Sequence, residues 1–207
     1  ALNRFKVLGA PTTILVDASS VYFYIALVCR FDARRIADYV AKAARTAQAH
    51  HVALRFVFDG LPAAAKQKEA IARCQKDVGP TRKFFAAPQP VTALPDAVPS
   101  AVFRLIRHLV LRHFACHQAL LESDEDLVRI AHRAGAFGVV SDDSDMLVAP
   151  VGHVFPVGAF FRSLVGGAAA FPCYATDDVA ARLGVDYDLL PLLAVVAGND
   201  YTKDGLC

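Results

Sequence analysis

The chain has 207 residues and a mass of 22.3 kDa; it is 55% hydrophobic and 20% charged, with a formal net charge of +2. This fits one compact α/β domain, standing alone or cut from a larger protein, and excludes intrinsic disorder. A membrane span is not expected, because the longest unbroken apolar run, residues 21–29, is about half of the ~20 residues a bilayer needs. The opening Ala1-Leu2-Asn3-Arg4-Phe5-Lys6 has no apolar signal core and no initiator methionine. A pI near 8.3 is not that of a protein that coats nucleic acid through bulk charge. The five cysteines (Cys29, Cys74, Cys116, Cys173, Cys207) are dispersed and form no C-x-x-C pair. They read as reduced thiols of an intracellular protein, with no structural zinc. No repeat or heptad is present.

In chain order, short apolar runs alternate with helical stretches, the pattern of a mostly parallel sheet covered on both faces. Thr13-Ile14-Leu15-Val16 predicts a buried strand ending at Asp17, with a helical segment after it. Residues 33–49 predict a helix with Ile36, Tyr39/Val40 and Ala43/Ala44 on one face. Residues 52–58 form a second strand, followed by Asp59-Gly60, and residues 66–76 a short polar helix. Pro80, Pro88, Pro90, Pro95 and Pro99 make residues 79–99 a long loop. Residues 102–113 predict an amphipathic helix with Arg104, Arg107 and Arg112 away from its Leu/Ile face. A third strand over 116–121, a helix over 124–133 closed by Gly135, and a fourth strand over 137–140 follow. After a Gly-rich stretch over 151–170, Thr176 is expected to cap a helix to Leu183. Pro191 is expected in the first turn of a last helix reaching Ala197.

Each predicted strand ends in carboxylates. Asp17 follows the first, Asp59 the second, Glu122 and Asp124 the third, Asp143 and Asp145 the fourth, and Asp200 closes the last helix. A single Asp after a strand is usually a turn or cap residue. Four successive strand ends carrying acids are different, because parallel strands deliver them to one crevice. Like charges at close range repel or raise each other's pKa, and a hard divalent cation relieves that. Two ions ~4 Å apart would clamp the attacking and leaving oxygens of a phosphoryl displacement. Glu125, Asp126 and Asp142 read instead as solvated helix-start or loop charges, and Asp177 and Asp178 as a helix first turn.

Lys66 and Arg73, seven residues apart, share a helix face just after the second acid. On spacing alone they are a solvated face. His113 and His117 straddle a helix–strand junction, and Ser19-Ser20 has no identifiable base for a nucleophilic serine. No P-loop or dinucleotide fingerprint is present.

Ile14-Leu15-Val16-Asp17-Ala18-Ser19-Ser20 resembles the first acidic motif of the flap endonuclease/XPG group of PIN-like, metal-dependent nucleases. Phe56-Val57-Phe58-Asp59-Gly60 is similar to the second motif, and Glu122-Ser123-Asp124 to the E-x-E step. Asp143-Ser144-Asp145-Met146-Leu147 is similar to the D-x-D motif, and the stretch from Leu190-Pro191 through Gly198-Asn199-Asp200-Tyr201 to the final G-x-D-Y. Five blocks in register over residues 14–201 make a specific match. Within the group, the chain most resembles the Asteroid-type branch, where E-A-D, S-D-S-D and L-P-L…G-N-D are common.

The resemblance implies a PIN-like α/β fold over residues 1–207 as a single nuclease domain. It implies two Mg²⁺ or Mn²⁺ ions, one on Asp17, Asp59, Glu122 and Asp124, the other on Asp143, Asp145 and Asp200 or their waters. Lys66 and Arg73 would stabilise the scissile phosphate, and Asp143 stands with them as catalytic. The substrate would be single-stranded or branched DNA, with RNA open, and the location nuclear rather than cytoplasmic. The chain departs from the family in three ways. Asp124 is one methylene shorter than the usual Glu, the Pro-rich loop over 79–99 replaces a longer helical arch, and no helix–turn–helix element for duplex DNA is visible. Two rivals stand beside this reading. One is a PIN-like scaffold without cleavage, in RNA regulation or coactivation; the other is a phosphohydrolase for small substrates.

Overall fold

A computed structural model describes residues 3–6, 12–62, 67–68, 71–72, 75, 79, 100–168 and 170–197. Lys66, Arg73, Asp200 and residues 80–99 of the expected loop lie outside them. The described positions of the expected 66–76 helix are helical, and so is Gly79, which was expected to open the loop.

Seven strands form one mixed sheet: β1 (Asn3–Lys6), β2 (Thr12–Asp17), β3 (Val52–Phe58), β4 (Ala115–Gln118), β5 (Gly138–Val140), β6 (His153–Phe155) and β7 (Ala170–Ala175). Their spatial order is β1-β7-β6-β5-β2-β3-β4. The run from β6 to β4 is parallel throughout, with Ile14 opposite Leu54 on one side and Gly138 on the other. β7 runs antiparallel to both β6 and β1. The helices are α1 (Ala18–Val28), α2 (Ala33–Ala49), α3 (Ser100–His113), α4 (Ser123–Ala134), α5 (Val157–Val165), α6 (Thr176–Leu183) and α7 (Leu190–Ala197).

β2 lies inside the sheet, and its Ile14, Leu15 and Val16 are fully buried. Alternate side chains point to opposite faces. Ile14 and Val16 join Phe56, Phe58 and the inner residues of α1, α2, α3 and α5. Leu15 and Val57 face the other way, onto Leu127 and Ala131 of α4 and onto Val139 and Met146. α2 turns Ile36, Val40, Ala43 and Ala47 inward, and its first turn is capped by Asp32, which accepts from the Arg35 N–H at 2.9 Å. α3 buries Val102, Ile106 and Val110, and α5 buries Phe160, Phe161 and Leu164.

Three expectations need correction. The Gly-rich stretch over 151–170 holds β6 and α5. Asp126 is no solvated charge: its side chain is 16% exposed and its oxygens pair with His117 at 2.9 Å and with Arg129, whereas Asp142 is exposed as expected and accepts from the Val157 N–H at 2.8 Å at the start of α5. Thr176 is the first residue of α6 rather than its cap, and its hydroxyl donates to the Gly152 carbonyl at 3.1 Å. Cys29, Cys116 and Cys173 are free thiols. Among the described residues no helix is long and apolar enough to cross a membrane.

Candidate metal centre at the strand ends

The acid-terminated strands are neighbours, in the order β5-β2-β3-β4, and all four are parallel. Their carboxyl ends therefore open on one edge of the sheet. The chain reverses its direction of winding between β5 and β2, the position where open α/β sheets leave a crevice.

Asp17 ends β2 and caps α1, and it is only 6% exposed. Its Oδ1 accepts from the N–H groups of Ser19 and Ser20, at 3.0 and 3.4 Å. Its Oδ2 accepts from the hydroxyls of Ser20 at 2.5 Å and Ser141 at 2.9 Å. Burial lifts this carboxyl above the ordinary range; the bonds from Ser20 and Ser141 pull it back in part, and Asp59 adds to the rise. The Ser141 bond crosses the reversal point, locking the end of β5 to the end of β2.

Asp59 follows β3 and joins two helices. Its Oδ1 accepts from the N–H and hydroxyl of Ser123, at 2.9 and 2.7 Å, and its Oδ2 from the hydroxyl of Ser19. Gly60 beside it is required by a close approach. Its N–H donates to the Leu121 carbonyl at 2.6 Å, and an added Cβ would overlap the Ala119 and Leu120 backbone.

Glu122 occupies the cap position of α4 and Asp124 its first turn. The Asp124 carboxyl is pushed up to about 7, first by burial and then by Asp143, Asp17, Asp59 and Glu122. Five of the seven predicted acids therefore share one electrostatic neighbourhood. Asp143 follows β5 and caps the short 3-10 helix Ser144–Leu147, its Oδ1 accepting from the Asp145 N–H at 2.9 Å. Its own N–H donates to the Ser141 hydroxyl at 3.0 Å. Asp145 is therefore held beside the cluster, with an exposed side chain. The remaining predicted site residues, Lys66, Arg73 and Asp200, lie outside the described residues.

Hard carboxylate oxygens converging from four strand ends are the donor chemistry that Mg²⁺ and Mn²⁺ take. Among the described residues, however, no three His, Cys, Asp or Glu side chains stand close enough together to enclose an ion. The oxygens of Asp17 and Asp59 point at serine hydroxyls and helix N–H groups. Those donors relieve the charge of Asp17 and Asp59, and the rise of the Asp124 carboxyl to about 7 lessens its ionisation among the other acids. The sequence argument assigned that relief to cations alone.

Sequence reasoning passed over Ser123 and Ser141 and read Ser19-Ser20 only as a poor nucleophile, yet these four hydroxyls orient the acids. A usable signal was present, because each serine sits within three residues of a motif carboxylate. Gln118 was also missed; its Nε2 donates to the Asp59 carbonyl at 2.6 Å, and its Oε1 accepts from Arg107 at 2.8 Å.

No protein-family profile matches the chain. Among curated proteins it is similar to the human constitutive coactivator of PPAR-gamma-like protein 1, 23% identical over 207 residues. That match covers 94% of this chain and 18% of the relative. The Xenopus tropicalis homolog is likewise 23% identical over 209 residues, covering 94% of this chain and 20% of that protein. The chain thus spans about a fifth of the curated relatives' length.

Solved structures are closer in shape than in sequence. The catalytic core of Rad2 in complex with DNA substrate superimposes at TM-score 0.60 and 18% identity, over 100% of this chain and 61% of that one. Human GEN1 with Holliday junction DNA gives 0.60 and 18%, over 96% of this chain and 46% of that one. Flap endonuclease-1 from Methanococcus jannaschii gives 0.57 and 14%, over 97% and 69%. Three nucleases sharing one sheet and helix arrangement with this chain make its architecture the PIN-like α/β fold of the flap endonuclease/XPG group.

Proposed function

We propose that this chain is a divalent-metal-dependent nuclease domain that hydrolyses phosphodiester bonds in single-stranded or branched DNA, with RNA as a further substrate to test. One observation carries the reading: Asp143, Asp17, Asp59 and Glu122 lie near enough to Asp124 to add to the rise that burial gives its carboxyl, which is pushed up to about 7. The likeness to nuclease structures solved with DNA supports it. Asp17, Asp59, Glu122 and Asp124 would hold one ion, and Asp143, Asp145 and Asp200 a second. Lys66 and Arg73 would take up charge on the scissile phosphate.

When bound there, the metal supplies Lewis-acid stabilisation and a reactive water. The chain contributes the rest. Ser123 and Ser19 aim Asp59, Ser141 sets Asp143 against Asp17, and Asp124 would hold a cation as the deprotonated carboxylate, so that binding would be coupled to loss of its proton. The Glu122-Ser123-Asp124 and Asp143-Ser144-Asp145 blocks are the ground for placing the chain in the Asteroid-type branch, and the neighbours solved with DNA for proposing a nuclear role in DNA repair.

The test is incubation of the purified chain with labelled flap, single-stranded DNA and RNA oligonucleotides, in Mn²⁺, in Mg²⁺ and in chelator. Cleavage is expected with metal only. Asp143→Ala is expected to lose more than the ~10–100-fold typical of an outer-shell partner. A variant as active as the parent, or no cleavage with either ion, would overturn the proposal.

A second reading has its own observation. The curated relatives are coactivators, and they match 94% of the chain. A scaffold that binds without cutting fits them, and the shorter Asp124 fits it too. Absence of cleavage in the same assay selects this reading.

A further inference from the structure

We propose that the outer face of α3 is a track for the sugar–phosphate backbone of a single-stranded polynucleotide, carrying it away from the carboxylate cluster. The proposal rests on the nuclease reading for what lies at the cluster, and on α3 itself for the track.

α3 buries Val102, Ile106 and Val110. At 100° per residue, the opposite stripe holds Arg104, Arg107, His108, Leu111 and Arg112, all exposed. The helix contains no Asp or Glu. Among the described residues none of these arginines is paired with a carboxylate. α2 differs in having an acid at its start: the Asp32 carboxyl is held below the usual range first by the backbone N–H groups of Arg35 and Arg34 and then by their charges. An unbalanced row of cations on one helix calls for a polyanion. From Arg104 to Arg112 the stripe runs about 12 Å at 1.5 Å per residue.

The stripe is also joined to the site. Arg107 lies over the Phe58 ring at 4.6 Å, and its guanidinium donates to Gln118 Oε1 at 2.8 Å. Gln118 in turn donates to the backbone carbonyl of Asp59 at 2.6 Å. The middle cation of the row is thus two hydrogen bonds from a site acid, and it is pre-oriented by ring and amide. A strand with one phosphate at the carboxylates would meet Arg107 next and then the ends of the row. Planar guanidiniums suit phosphate oxygens bidentately.

The measurement is fluorescence anisotropy of a labelled 30-nucleotide single-stranded DNA with the full chain in EDTA, over a NaCl series. Each phosphate contact adds about 0.7 to the slope of log K against log salt for single strands. The charge-swapped Arg104→Glu/Arg112→Glu chain is expected to lose at least tenfold in affinity and more than one unit of slope. Arg34→Glu/Arg35→Glu, with the same change in net charge, is expected to do neither. Arg104→Lys/Arg112→Lys is expected to keep the slope, showing that the loss is one of charge rather than of folding.

Equal affinity and slope in the swapped and parent chains would overturn the track. Displacement of the DNA by polyglutamate at matched charge would overturn it as well, reassigning the face to an acidic protein. The nuclease reading fails separately. If metal-dependent cleavage is absent while the slope loss is present, the track stands and the hydrolysis falls. If the swapped chain still cuts a tetranucleotide but no longer binds the 30-mer tightly, both stand.

Discussion

The two halves of the acid cluster are built differently. Asp17 and Asp59, at the ends of β2 and β3, have both oxygens occupied by hydroxyl or N–H donors from Ser19, Ser20, Ser123 and Ser141. Asp124, on the first turn of α4, is instead held up near 7 by burial and by its acidic neighbours. The first half is a joint that ties β5, β2, β3, α1 and α4 together. The second half stores unfavourable charge, and a cation has most to relieve there. A site divided in this way would fold without metal and would gain stability from a bound cation.

The largest effect expected is at the joint. Asp17→Ala removes the acceptor of four hydrogen bonds from Ser19, Ser20 and Ser141 and should destabilise the chain by about 1–3 kcal/mol, besides abolishing cleavage. Asp17→Asn keeps the shape, removes a buried charge, and should cost far less stability while losing cleavage equally. Urea denaturation of the two variants measures the difference; equal losses would mean that charge, not hydrogen bonding, defines this half.

Gly60→Ala comes next. The added methyl has no room against the Ala119–Leu120 backbone, and overpacking of this kind costs roughly 1–3 kcal/mol. The strain falls between Asp59 and the β4 exit, so metal-stimulated activity should drop further than stability alone explains. Thermal melting and cleavage measured side by side would show it.

The storing half is tested by pH. Between about pH 4 and about pH 7 the folded chain holds a proton on Asp124 that the unfolded chain has released, since its carboxyl lies near 7 against an ordinary 3.8. Stability in EDTA should therefore fall as pH rises through that window. Asp17, also raised, contributes in the same direction. Asp124→Asn should flatten the fall, and millimolar Mg²⁺ or Mn²⁺ at pH 7.5 should raise the melting temperature of the parent more than of the variant. A parent curve without slope between pH 4 and 7, or indifferent to both ions, would remove the contrast between the halves.

The sequence made the joint's acids visible and hid its donors. A strand ending in Asp is a local pattern, so Asp17, Asp59, Asp143 and the Glu122/Asp124 pair could be found one at a time. Their partners lie far along the chain: Ser141 is 124 residues from Asp17, and Ser123 is 64 from Asp59. A serine beside a turn gives no hint of so distant an acceptor. The parallel centre of the sheet was legible because buried strands read as continuous apolar runs. β6 has three residues, and β7 carries Pro172, so neither gives a two-residue alternation to detect. α5 was obscured by the glycines around it, although its Phe160, Phe161 and Leu164 are fully buried in the core.

The smallest expected effect is at Gln118, the exposed amide that bridges the cluster to Arg107. It bonds the carbonyls of Asp59 at 2.6 Å, Ala119 at 3.2 Å and Phe58 at 3.4 Å, and it accepts from Arg107 at 2.8 Å. Water can replace an exposed donor, so Gln118→Ala should cost only about 0.5–1.5 kcal/mol in urea denaturation. That is less than Asp17→Ala, even though each deletion breaks four hydrogen bonds, because the Asp17 carboxylate is itself buried, 6% exposed, and Gln118 is not. The number of bonds does not separate the halves; access of water does. A Gln118→Ala loss as large as that of Asp17→Ala would mean that the β4 side is as rigidly locked as the β2–β3 side, and the division of the site into a joint and a store would fail.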